Sequence, residues 1–172
     1  GLLISNIAAL LFILVFYKTV NLLFGEKIAL VAAITYLFFP TSFFLGAYYS
    51  ESLFLLATIF SFYFLYRGKY KFAAIFSFFA SFARPLGVFI AISQVYSYLS
   101  LKEFKLAKIR PEILLLFSPL LSLFLYSWFL FAKFGNFFSF VYAQNYWERQ
   151  IVGPFATLSS YFVDIFTMKH RP

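Results

Sequence analysis

Two charged residues stand inside apolar sequence and are the first candidates for chemistry. Glu51 follows Tyr48-Tyr49-Ser50 and opens an apolar run, and Arg84 interrupts the apolar stretch 73–92 just before Pro85. A guanidinium is a planar fork that suits phosphate oxygens. A carboxylate at the edge of such a run accepts hydrogen bonds from a polar substrate, or pairs with the arginine. Each also has a purely structural reading. An acid in the first helical turn is favoured by the partial positive charge of the backbone there, with Ser50 as N-cap. The arginine can equally snorkel or cap a helix. A third group lies in residues 137–150, where Phe140, Tyr142, Tyr146 and Trp147 alternate with Gln144, Asn145, Glu148 and Arg149. That mixture suits sugar hydroxyls or a phosphate, although Trp and Tyr also anchor helices at headgroup level.

Other chemistries are excluded by composition. The chain has no cysteine, so disulfides, thiolate nucleophiles and Cys-built metal sites are ruled out. Its one histidine, His170, sits in Lys169-His170-Arg171 and reads as the cytoplasmic end of the last apolar run. The acids are Glu26, Glu51, Glu103, Glu112, Glu148 and Asp164, and any carboxylate chemistry comes from them. Asp164, inside the run 155–168, is open to a reading as a buried relay. Neither a metal nor a cofactor is expected.

The elements that position these residues follow from the same arithmetic. Of 172 residues, 63% are hydrophobic and 12% charged, with a mean hydropathy of +0.88. Soluble domains are about 45–50% apolar and about 25% charged, so the chain is read as an all-α, multi-pass integral membrane protein. The formal charge of +8 lies between apolar runs, where cytoplasmic loops and anionic lipid headgroups explain it and nucleic acid does not. The chain begins inside an apolar run with no charged segment ahead of it, and is expected to be a fragment of a longer polytopic chain. Residues 1–172 are read as a single transmembrane domain, truncated at both ends.

Apolar runs occur at 2–17, 28–39 (stopped by Pro40), 52–66, 72–99, 113–131 and 155–168. A spanning helix needs about 20 residues. The most basic loops, 67–71 and 102–110, are both expected in the cytoplasm. The run between them then crosses an even number of times, as two short helices of about 13 residues with Arg84-Pro85 at the tip. One long helix kinked at Pro85 is the alternative. With the hairpin, residues 41–51, Arg84 and 133–154 all fall on the outer face. The segment 137–150 is expected to form an outer amphipathic helix.

Several phrases resemble the PIG-V family of mannosyltransferases. Phe39-Pro40-Thr41-Ser42-Phe43-Phe44 and Ala47-Tyr48-Tyr49-Ser50-Glu51-Ser52-Leu53-Phe54 resemble its "NP-x-S-x-F … YSE-x-LF" stretch. Arg67-Gly68, then Ala80 through Gly87, resemble "RG … A-x-x-x-R-x-x-G", and Phe140 to Pro154 the later "F-x-x-A-Q-x-x-W-x-R … P" loop. Phe39 departs from the Asn usual before the proline. The resemblance implies a GT-C-like bundle with short broken helices, which passes a sugar, typically mannose, from a polyprenyl (dolichyl) phosphate donor to a lipid-linked or glycan acceptor. It implies transfer with inversion on the non-cytoplasmic side, in the cell membrane of a prokaryote or the endoplasmic reticulum of a eukaryote. Membrane lipids are the remaining partners. Tyr48, Ser50, Glu51, Arg84, Gln144, Trp147 and Arg149 are the substrate-binding positions carried over. The family's general base, an aspartate in the first outer loop, is expected outside this fragment. A transporter, a lipid flippase and a non-catalytic membrane subunit are the competing classes.

Overall fold

The computed structural model describes residues 1–47 and 49–143 and the single positions Phe155, Ser159 and Phe162. Among the described residues every regular element is helical. The chain divides into two compact units, residues 1–126 and 127–172.

In the first unit, α1 (Leu2–Phe24) runs well past Lys18, where the apolar run was expected to end. One lysine does not stop a helix: it is a good helix former, and its stem carries the ammonium away from apolar surface. Gly25, in the left-handed region at φ 87°, stops it and donates its N–H to the Asn21 carbonyl at 3.1 Å. The buried stripe of α1 is Ser5, Ala8, Phe12, Val15 and Thr19, mostly small or polar, while Leu3 and Leu10 are 73% and 64% exposed. Water-soluble helices put their large aliphatics inside. Here the pattern is inverted.

Helix α2 (Glu26–Leu37) ends two residues before the expected Phe39. The residue before a proline is pushed out of the α region, so Pro40 acts earlier than its own position. The chain then turns, with the Ser42 hydroxyl bonded to the Tyr36 carbonyl, through the single turn α3 (Phe43–Gly46) to α4 (Glu51–Tyr66). Helix α4 packs on α1 and most extensively on α5 (Tyr70–Ala83).

Helix α5 stops at Arg84, whose backbone is extended (φ −148°, ψ 129°), and a 3₁₀ turn, Pro85–Phe89, leads into α6 (Ile90–Leu101). The chain reverses here. The Tyr70 ring at the start of α5 lies 5.1 Å from that of Tyr98 near the end of α6, and the Tyr66 hydroxyl lies 3.4 Å from that of Ser97. The hairpin is therefore formed, and the long kinked helix is not. Loops 67–71 and 102–110 share one end of the unit, where the Arg110 N–H donates to the Tyr98 hydroxyl at 3.1 Å.

The run 113–131 was read as one clean span, but it opens as a 3₁₀ helix, Pro111–Phe117, before α7 (Ser118–Phe134). Pro119 is the cause: it has no N–H and its ring crowds the carbonyl four residues back, so α geometry cannot extend through it. Hydroxyls join this entrance to α5, with Ser118 donating to the Ala74 carbonyl at 2.7 Å and Ser81 to the Pro119 carbonyl at 2.9 Å. Among the described residues, Leu2–Phe24 and Pro111–Phe134 are long and apolar enough to cross a membrane.

In the second unit, Gly135 (φ 71°) closes α7 by donating to the Phe131 carbonyl, and the Phe131 and Phe137 rings stack at 4.3 Å. Helix α8 (Ser139–Tyr142) is a single turn. It follows a turn in which Asn136 Oδ1 accepts from the Phe138 N–H, and it is the one described turn of the segment expected to form an amphipathic helix. The remainder of 137–150, and the run 155–168 apart from its three single positions, lie outside the described residues.

Candidate functional site

Helices α4 and α5 run antiparallel, so the first turn of α4 meets the end of α5. Glu51 occupies that first turn and Arg84 caps that end. Each charge sits where the helix dipole favours its sign. Arg84 Nη1 lies 2.8 Å from Glu51 Oε1. The side chains remain 39% and 25% exposed, so the pair is reachable. Glu51 Oε2 is buried and makes no hydrogen bond to any described residue. Among the described residues Glu51 is also the only acid on this end of the hairpin, since Glu103 and Glu112 belong to the loop side.

Arg84 is held by its backbone. Its N–H donates to the Ala80 carbonyl at 3.1 Å, and its carbonyl accepts from the Gly87 N–H at 2.8 Å. Gly87 lies flat against α5: a Cβ built there would stand 2.5 Å from Ser81 Cα and 2.7 Å from Ser81 N. That contact is possible only for glycine. Ser81 is fixed in turn by Pro119.

Ser50 occupies the N-cap position of α4, but its hydroxyl makes no capping hydrogen bond, which corrects the capping reading. Its φ and ψ are already helical (−81°, −3°), so the side chain does not swing over the free N–H groups. Instead Ser50 borders a cavity of about 360 Å³ with Gly1, Ile4, Ser5, Tyr49 and Leu53. The Ser5 hydroxyl reaches the Tyr49 carbonyl at 3.5 Å, so the first turn of α1 walls the cavity. Glu51, Arg84 and Ser50 are therefore brought to one end of the first unit. Tyr48, Gln144, Trp147 and Arg149 lie outside the described residues.

Sequence reasoning missed Gln94. It is fully buried on α6, and neither its amide oxygen nor its nitrogen has a described hydrogen-bond partner. Its signal was available: it is the one amide side chain in the apolar segment Pro85–Leu101. The contribution of Ser5 from α1 had no local signal at all. Among the described residues no group of three His, Cys, Asp or Glu side chains could hold a metal ion.

The exposed part of Arg84 in this arrangement can bind an anion. One guanidinium nitrogen serves the carboxylate, and the rest of the fork is left for phosphate-like oxygens. Comparison of the chain with protein-family models, with curated proteins and with solved structures finds no match.

Proposed function

We propose that the chain is part of a polytopic membrane glycosyltransferase that moves a sugar, mannose by its resemblance to the PIG-V family, from a polyprenyl phosphate donor to a hydroxyl of a lipid-linked or glycan acceptor. The observation that carries this reading is the Glu51–Arg84 pair at the end of the hairpin opposite the basic loops. The burial pattern of α1, with Leu3 and Leu10 outward and Ser5, Ala8 and Thr19 inward, supports its membrane setting. In the reaction the bond between the sugar C1 and the donor phosphate oxygen breaks, and a bond from C1 to the acceptor oxygen forms on the opposite face. The acceptor proton passes to a base, and the lipid phosphate leaves with the electron pair. Arg84 stabilises that departing phosphate. Glu51 holds Arg84 through Oε1. Tyr48, Gln144, Trp147 and Arg149 are proposed to border the sugar.

The test is transfer from a polyprenyl-phosphate sugar by the full-length protein. A charge-assisted hydrogen bond is worth about 1.5–3 kcal/mol, so Arg84→Ala is expected to lose roughly tenfold to a hundredfold in turnover and donor affinity together. Arg84→Lys keeps the charge without the fork and is expected to retain part of the activity. A second reading is favoured by the pairing itself. Arg84 already has a partner, as it would in a non-catalytic subunit whose charges lock α4 to α5. In that case Arg84→Ala lowers thermal stability and leaves transfer, per folded molecule, at the wild-type rate and affinity.

A further inference from the structure

We propose that the end of the first unit formed by loops 67–71 and 102–110 binds one anionic phospholipid, its headgroup on the bases and an acyl chain in the groove beside α6. The proposal rests on the membrane setting above but not on the transferase activity.

The hairpin gathers at one end bases that are more than thirty residues apart in sequence. Between residues 67 and 71 and between 102 and 112 there are seven bases and two acids. One of those acids is already engaged: Glu103 Oε2 lies 2.5 Å from Lys105 Nζ and 3.2 Å from Lys108 Nζ. Arg67, Lys69, Lys71, Lys102 and Arg110 have no carboxylate within reach among the described residues. Aromatic rings hold two of them. Lys102 Nζ lies 5.9 and 5.6 Å from the Tyr70 and Tyr98 ring centres, and the Arg67 guanidinium carbon lies 5.1 Å from that of Tyr63. Rings take up no formal charge, so these cations stay available to an anion while their positions are fixed.

The occupant is identified by what adjoins the bases. One turn before Lys102, Leu99 begins a groove of about 510 Å³, almost wholly apolar, that runs along α6 past Val95 and Ile92 and is walled by Phe117 and Leu120. A free phosphate has no use for it, whereas the chain of a phospholipid does. Phe104, 58% exposed in the same loop, adds an aromatic at headgroup height.

The experiment titrates purified full-length protein in mixed micelles with dioleoyl-phosphatidylglycerol or dioleoyl-phosphatidylcholine and follows the unfolding temperature. A saturable rise is expected with phosphatidylglycerol alone, collapsing at 1 M salt, where the Debye length is about 3 Å. A base near an anionic surface is worth about fivefold in affinity. Lys71→Gln/Lys102→Gln/Arg110→Gln is therefore expected to raise the half-saturating lipid concentration about a hundredfold. Lys18→Gln/Lys27→Gln/Lys133→Gln removes the same charge elsewhere and is expected to leave it within about twofold. An equal response to phosphatidylcholine, an equal loss in the second triple variant, or a full shift from inorganic phosphate overturns the proposal. If the first triple variant does not fold, the lipid and salt dependence of the wild-type chain decide alone. Release of the chain from vesicles by alkaline carbonate defeats the membrane setting. A chain that stays in vesicles yet ignores phosphatidylglycerol defeats only the lipid site.

Discussion

Glu103 gives the most direct pH prediction at the scale of single residues. Hydrogen bonds from Lys105 and then Lys108 hold its carboxyl below the usual carboxylate range, although it is exposed. The folded value lies under the unfolded one. The stabilisation is therefore present above the ordinary carboxylate pKa and is lost as the pH falls through the lowered value. In a carboxyl-labelled sample the Glu103 titration midpoint is expected below that of a free glutamate, and to move back up in Lys105→Gln/Lys108→Gln. An unchanged midpoint in that variant means the pairs do not hold the charge. Residues of this kind differ in how far they are legible from sequence. Glu51 and Arg84 stood out because a charge in apolar sequence is conspicuous, and their pairing was one of three readings for the acid. Gln94 carries no charge and was passed over, and only burial makes its unbonded amide notable.

At the scale of elements, the turn after α5 depends on one missing methyl group. Gly87→Ala places a Cβ 2.5 Å from backbone atoms of Ser81, which cannot move aside as a side-chain tip can. Overpacking of this sort costs typically about 1–3 kcal/mol. The variant is expected to unfold at lower temperature and, by displacing Arg84, to lose affinity for the proposed donor phosphate. Normal stability and normal affinity together would show that the turn tolerates the methyl. The break itself was readable because Pro85 marks it and the two basic loops demand an even number of crossings. The end of α1 was misread because Lys18 looks like a boundary, although a helix stops for backbone reasons, here Gly25. The 3₁₀ opening of Pro111–Phe117 was missed because Pro119 acts on residues before it.

For the whole molecule, the hairpin predicts that loops 67–71 and 102–110 face the same compartment. The chain has no cysteine of its own, so single cysteines at Gly68 and Glu103 report alone. Both are expected to resist an impermeant thiol reagent in intact cells and to react after permeabilisation. Labelling of just one of them would contradict the shared side. The length of the hairpin carries a further consequence. Helix α5 has 14 residues, about 21 Å at 1.5 Å per residue, against a hydrocarbon layer of about 30 Å. In the membrane setting proposed above, this hydrophobic mismatch would be met by lipid that thins around α5 and α6, drawing the two leaflets together beside Arg84. A polar headgroup reaching the arginine would then travel a shortened path, and the protein would partition toward thinner membranes. The short hairpin would thus make the surrounding lipid part of the approach to Arg84.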